Sequence, residues 1–271
     1  MKLALQLGLI PGATVKEKQQ WALEHGVEGI EVSAGNYGPD ELDQLVADFV
    51  DSPVPLSSIC GNPTFDFLDP DPKKRQTSIQ QCKQYLEVAG ELGATGQIVP
   101  PIFGPPRIPD LSPYQDAITL EKNLLVEICH ELGETARRAG CLLLLEPLNR
   151  YEQHLLRRQR DGVEIIERCG HDHVRLISDL FHMHIEETNT PQAIREVGMY
   201  IRHVHLADNT RLEPGTGDID FAAAFRALMD VGFDGYMAFE CGISPGDRGE
   251  NLKASLEFVR NAIAKAAAMA A

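Results

Sequence analysis

The feature that most constrains this chain is an alternation. Eight short β-rich runs are separated by longer stretches, many with helical apolar spacing. The runs are Lys2–Leu7, Gly29–Val32, Pro55–Cys60, Gly96–Pro100, Leu142–Glu146, Val174–Asp179, Arg202–Leu206 and Tyr236–Glu240. Helical patterns occupy Val15–His25, Asp40–Val50, Lys73–Leu92, Leu120–Ala139, Phe221–Val231 and Asn251–Ala268. This order demands parallel strands joined by helical crossovers. Gly26, Gly93, Gly140 and Gly232 each follow a last turn, where a residue without Cβ ends a helix at little cost. The early strands are apolar runs without clean alternation, as strands buried on both faces are. An open doubly wound sheet gives similar runs, but no GxGxxG follows the first strand and no Walker sequence occurs. The predicted fold is therefore α/β, a closed (β/α)₈ TIM barrel, as a single domain over residues 1–271.

Composition narrows the partners. No apolar run nears the roughly 20 residues of a membrane span, and the opening MKLALQLGLIPG is too short in its apolar part for a signal peptide. The expectation is a cytoplasmic protein with no membrane partner. A net charge of -15 argues against nucleic acid, whose binders carry a basic face. A small molecule is the expected partner, and a homo-oligomer is left open. The six cysteines have no CxxC spacing, which suits reduced thiols better than disulfides or a zinc knuckle. Six prolines between Val99 and Tyr114 exclude a helix there and predict a long loop over one barrel mouth. The Ala-rich end, AIAKAAAMAA, reads as the frayed tail of a last helix.

Four metal-ligating residue types fall at the ends of the last four strand runs: Glu146, Asp179, His205 and Glu240. In a (β/α)₈ barrel those ends converge on the catalytic face. One Glu at a strand end is usually a solvated rim residue; recurrence on four consecutive strands is the signal. Three carboxylates and one imidazole form a hard site for one divalent ion, Mn²⁺ first, with Mg²⁺, Co²⁺ or Zn²⁺ as alternatives. His203 shares its strand face with His205 but lies roughly 6.6 Å deeper, so His205 is the chosen ligand. His154 and His184 are read as loop residues without a role.

Glu-Pro-Leu-Asn-Arg-Tyr-Glu at 146–152, Asp-Leu-Phe-His-Met at 179–183, His-Leu-Ala-Asp-Asn at 205–209 and Glu-Pro-Gly-Thr-Gly-Asp-Ile-Asp-Phe at 213–221 resemble motifs of the xylose-isomerase-like barrel superfamily. Within it, the sequence is most similar to hydroxypyruvate isomerases and ketose 3-epimerases. The resemblance implies that Glu146, Asp179, His205 and Glu240 hold the metal, that Glu146 and Glu240 also move the substrate proton, and that Glu152, His182 and Arg211 contact substrate oxygens. Each of the last three has a plainer alternative. His182, read in a strand-to-loop segment, could be a core histidine bonded to a carbonyl; Arg211 could pair with Asp208 or Glu213; Glu152 could pair with Arg150.

The expected activity is metal-dependent isomerisation or epimerisation of a small hydroxy-ketone or sugar through an enediolate. A cation beside the carbonyl stabilises that species when the adjacent proton leaves. A lyase using the same deprotonation is the alternative, as a dehydratase or a carbon–glycoside-cleaving enzyme. A DNA-repair nuclease fits the acidic charge poorly, and a non-catalytic metal-stabilised scaffold is the remaining reading. The segment Pro214–Gly217 reads as a rim turn rather than a phosphate nest, because Glu213 and Asp218 would repel phosphate. That favours an unphosphorylated substrate. The sole tryptophan, Trp21, sits on the first helix, leaving Phe65, Phe67, Phe103, Tyr114 or Phe181 to form any aromatic wall.

Overall fold

The structure, a computed structural model, describes residues 1–61 and 65–269. Eight parallel strands close into a barrel in sequence order. They are β1 Lys2–Gln6, β2 Gly29–Ser33, β3 Leu56–Cys60, β4 Gly96–Val99, β5 Leu142–Leu145, β6 Val174–Asp179, β7 Ile201–Leu206 and β8 Tyr236–Phe239. Closure is made by β1 against β8, with Lys2 opposite Tyr236 and Leu5 opposite Phe239. Each run read from the sequence is a strand, displaced at its ends by at most one residue.

The helices are α1 Val15–Glu24, α2 Leu42–Phe49, α3 Pro72–Glu91, α4 Ala117–Ala139, α5 Gln159–Cys169, α6 Leu180–Glu186, α7 Thr190–Val197, α8 Phe221–Asp230 and α9 Arg248–Ala268. Gly26, Gly93, Gly140 and Gly232 all take positive φ, between 64° and 79°, as helix-ending residues do. The expected first part of α2 is instead a short 3₁₀ turn, Pro39–Glu41. The prolines at 100–113 lie in a segment with neither helix nor strand. α9 runs through Ala268, and Ala270 and Ala271 of the expected frayed tail lie outside the described residues.

Helices α5, α6 and α7 were not among the patterns read from the sequence, and one consequence is a correction. His182 and His184 lie on α6, not in a loop. This helix has only seven residues, too few to show a period. It is seeded by Asp179, whose side chain accepts from the backbone N–H of Phe181 and His182.

The larger apolar cluster joins one face of the strands (Leu5, Ile30, Val204, Phe239) to the helices (Leu45, Leu86, Leu125, Leu228). A second, small cluster of Cys60, Ile98, Leu144 and Ile177 fills part of the barrel interior. Among the other fully buried residues of the strands are Glu31, Ser58, Gln97, His203 and His205. Barrel interiors are ordinarily packed with branched apolar side chains, so a polar interior on this scale must satisfy itself by hydrogen bonds. Among the described residues, no helix is long and apolar enough to cross a membrane. All six cysteines are free.

Candidate active site

The strand ends gather the four residues that the sequence singled out. Asp179 is the last residue of β6 and His205 the penultimate residue of β7; Glu146 and Glu240 directly follow β5 and β8. Their backbone amides still join the ladder, Glu146 N to Val99 O at 3.1 Å and Glu240 N to Leu206 O at 3.2 Å. One ligand atom from each of the four lies within 4.8 Å of the others. His205 Nδ1 is 3.2 Å from Glu146 Oε1, 3.3 Å from Glu240 Oε2 and 4.0 Å from Asp179 Oδ2. His205 Nδ1 and Glu146 Oε1 are buried without a hydrogen-bond partner, as are Gln97 Oε1 and His203 Nδ1 elsewhere in the barrel; only the first two belong to the four-residue set. Buried polar atoms are rarely left so, and a carboxylate oxygen and an imidazole nitrogen converging on one point are the donor set of a hard divalent cation.

Charge runs through the whole group. Burial disfavours the imidazolium of His205, but Glu31 and Glu240 outweigh it and raise its pKa well above the usual histidine range. Burial likewise opposes ionisation of Asp179, yet the neighbouring His182 and Arg211 hold its carboxyl well below the usual range. Glu240 is also lowered against its burial, by His205 and Arg211. Glu146 differs: burial dominates and raises it, with the nearby His205 imidazole offsetting only part.

Arg211 pairs with neither Asp208 nor Glu213. Its guanidinium donates to Asp179 Oδ2 at 2.9 Å and Glu240 Oε2 at 2.5 Å, and lies 4.5 Å from the ring centre of Phe181. It is the one non-glycine residue with positive φ, 58°, among those described. The turn that holds it is built on buried Asp208, whose carboxylate accepts from the amides of Asn209, Gly215 and Ile219. A Cβ at Gly217 would stand 1.9 Å from Asn209 Oδ1 and 2.4 Å from Asp208 Oδ1, so this turn closes only with glycine there. The Gly215 amide of the Pro214–Gly217 segment is thus occupied by a carboxylate.

His182 is not bonded to a backbone carbonyl. The backbone N–H of Asn149 donates to its Nδ1 at 3.2 Å, and the Asn149 side-chain amide lies at 2.8 Å from the same nitrogen. A backbone amide can only donate, so Nδ1 is an acceptor and the ring N–H is at Nε2, 3.5 Å from Asp179 Oδ2. Glu152 leaves Arg150 to Glu186 and instead accepts from Asn149 Nδ2 at 3.0 Å.

A cavity of about 240 Å³ opens above this group, lined by Glu146, Glu152, His182, Arg211 and Glu240, with Cys60, Pro100 and Phe103 on its other walls. Of the five aromatic candidates, Phe103 faces the cavity and Phe181 supports Arg211, while Phe65 and Phe67 are core residues and Tyr114 is exposed. His154 is a loop residue, as read, but it fastens the proline-rich segment: its Nδ1 lies 2.8 Å from Gly104 O and its Nε2 2.5 Å from Glu121 Oε2.

Three polar residues beside the site escaped the sequence reading. Glu31 on β2 lies beneath it, within 3.0 Å of His205 Nε2. Cys60 donates to Glu240 Oε1 at 3.3 Å, and Asn149 ties Glu152 to His182. A lone charge inside the buried run GIEVS was the available signal for Glu31.

Fold and site together define a (β/α)₈ barrel whose C-terminal mouth carries a buried carboxylate–histidine centre. Residues 19–262 match the family described as xylose isomerase-like TIM barrel, and the chain belongs to that family. It is 29% identical over 265 residues to 3-dehydro-D-guloside 4-epimerase of Escherichia coli strain K12, covering 96% of this chain and 99% of the relative. It is 44% identical over 110 residues to L-ribulose 3-epimerase of Mesorhizobium japonicum, a stretch covering 41% of this chain and 37% of that one. The solved structure of 3-keto-D-glucoside 4-epimerase from E. coli superposes with a TM-score of 0.85 at 28% identity, covering 96% of this chain and 99% of that chain. These relatives are named as sugar epimerases, and the chain is an epimerase or isomerase of the same family.

Proposed function

We propose that this protein is a divalent-metal-dependent epimerase that inverts a hydroxyl-bearing carbon next to the ketone of an unphosphorylated sugar. The observation that carries the reading is the pair of buried, partnerless ligand atoms, His205 Nδ1 and Glu146 Oε1, inside a four-residue strand-end set. The named reactions of the relatives agree in chemistry: a 4-epimerase of a 3-keto sugar and a 3-epimerase of a 2-ketose both act at the carbon beside a carbonyl. Glu146, Asp179, His205 and Glu240 would hold the ion, Mn²⁺ by preference among hard divalent cations. When bound, it supplies positive charge next to the substrate carbonyl oxygen, which makes the adjacent C–H more acidic.

The chain's own groups do the rest. Glu146 and Glu240 stand on strands three apart in the ring of eight. A substrate lying between them meets a carboxylate on each face, so one removes the proton and the other returns one from the opposite side. His182 offers its Nε2–H to a substrate oxygen, and Arg211 and Glu152 stand at the cavity wall for further hydroxyls. The Asp208-filled turn supports an unphosphorylated substrate. A lyase is not favoured, since the relatives are named as epimerases. The test is a panel of ketoses and 3-keto glycosides with chelated and Mn²⁺-loaded protein, read by chromatography and mass. Epimers of unchanged mass, formed only with the ion, are expected. Products of lower mass, or turnover unaffected by chelation, would overturn the reading.

A further inference from the structure

Beneath the mouth lies a second polar cluster that the proton-transfer chemistry does not use. Glu31 is fully buried on β2 and its two oxygens are surrounded. Gln6 Nε2 donates to Oε1 at 3.0 Å and Ser58 Oγ donates to Oε2 at 2.7 Å. His203 Nε2 lies 2.9 Å from Oε2, and His205 Nε2 lies 3.0 and 3.1 Å from the two oxygens. Four side chains from three other strands thus converge on one carboxylate. An ionised carboxylate accepts only, so both imidazoles must present an N–H at Nε2.

For His205 this has a directional consequence. Its two ring nitrogens face opposite ways, Nε2 down to Glu31 and Nδ1 up to Glu146 and Glu240. A proton fixed on Nε2 leaves Nδ1 as the nitrogen whose lone pair is available to a cation. Gln6 extends the same hold: its amide also lies 3.3 Å from Glu240 Oε1. We propose that Glu31 is the positioning residue of the metal centre, locking His205 in the Nε2–H tautomer so that Nδ1 faces the ion. The proposal rests on the reading of His205 as a metal ligand. A carboxylate behind a ligating imidazole fixes the ring's orientation and raises its basicity, and its loss typically costs about 10–100-fold in metal affinity.

The cluster could instead be a second cation site, because Glu31, His203 and His205 also bring ligand atoms together. The Gln6 and Ser58 donors, which carry hydrogens, already occupy both carboxylate oxygens, and the imidazole contacts of 2.9–3.1 Å are of hydrogen-bond length. They support the carboxylate as an acceptor rather than a ligand.

Glu31→Gln is the informative change, because an amide presents an N–H as well as an oxygen and so permits the other tautomer. Mn²⁺ affinity of wild type, Glu31→Gln and Glu31→Asp is measured by titration, and the His205 tautomer in the Mg²⁺-loaded proteins by ¹⁵N NMR. Wild type is expected to bind one equivalent with the ring proton on Nε2. Glu31→Gln is expected to bind about 10–100-fold more weakly with a mixed tautomer, and Glu31→Asp to restore the Nε2–H signal. If Glu31→Gln fails to fold, the Glu31→Asp protein and the wild-type tautomer decide. Equal affinity in the Gln variant, a second equivalent bound by wild type, or a proton on Nδ1 in the loaded wild type overturns the proposal alone. Failure of wild type to bind Mn²⁺ overturns the metal-site reading and this proposal with it.

Discussion

Glu146 and Glu240 share the proposed ion site but not an environment. Glu146 is almost wholly buried, whereas the Glu240 side chain is 21% exposed and gripped by Arg211. If both handle the substrate proton, Glu146→Gln and Glu240→Gln should each lower kcat at least about 100-fold, since a glutamine keeps the shape but loses the basicity. Metal content measured on the same samples separates lost proton transfer from lost ion. A variant retaining more than about a tenth of kcat would remove that glutamate from the proton path. His182→Ala should instead chiefly raise KM, because it deletes one N–H donor to a substrate oxygen; steady-state kinetics with unchanged KM would refute that role. The four strand-end ligand candidates were legible because they repeat at equivalent places along the chain. Glu31, Cys60 and Asn149 were not, because a single polar residue in an apolar strand or loop carries no spacing that says what it faces. The substrate-contact roles proposed for His182 and Arg211 come only from motif resemblance, and their partners, Asn149 for one and Asp179 with Glu240 for the other, needed three dimensions.

At the scale of elements, the strands were read from apolar runs and the long helices from their period and terminal glycines. Short α6 was missed because its seven residues are shorter than the pattern needed to recognise them. Its cap does two things at once: Asp179 Oδ1 receives the α6 amides while Oδ2 turns to Arg211 and the site. The proposed ion site and the first turn of α6 are therefore built on one side chain. Helix packing sets a different constraint at Gly90 of α3, where an added Cβ would stand 2.1 Å from the carbonyl oxygen of Ala139 at the end of α4. Neither backbone can yield cheaply, and overpacking of this kind costs about 1–3 kcal/mol. Gly90→Ala should lower the urea midpoint accordingly while leaving kcat per folded molecule intact, because it lies away from the mouth. An unchanged midpoint would mean that the two helices separate more easily than their packing indicates.

Across the whole molecule, the barrel spends part of its interior on polar side chains and concentrates negative charge at one mouth. A cation that bridges the ends of β5, β6, β7 and β8 should therefore stabilise the fold as well as serve catalysis. At about 100 times its Kd, an ion bound only by the folded state adds about 2.7 kcal/mol. For a chain of this size that corresponds to a rise in Tm of roughly 5–10 °C, and a thermal scan with and without Mn²⁺ would show it. An unchanged Tm at saturating Mn²⁺ would count against the site. The closed barrel was the most legible level of all, since eightfold alternation leaves few other solutions; the substrate is the least legible, because one cavity wall belongs to the irregular proline-rich segment.

The central claim, that two carboxylates invert a carbon by removing one proton and returning another, is tested most directly by the fate of that hydrogen. The Mn²⁺-loaded protein is allowed to epimerise its ketose in D₂O and the product is examined by NMR. The expected product carries one solvent deuterium at the inverted carbon beside the carbonyl. Inversion with the original hydrogen retained through many turnovers would contradict the account.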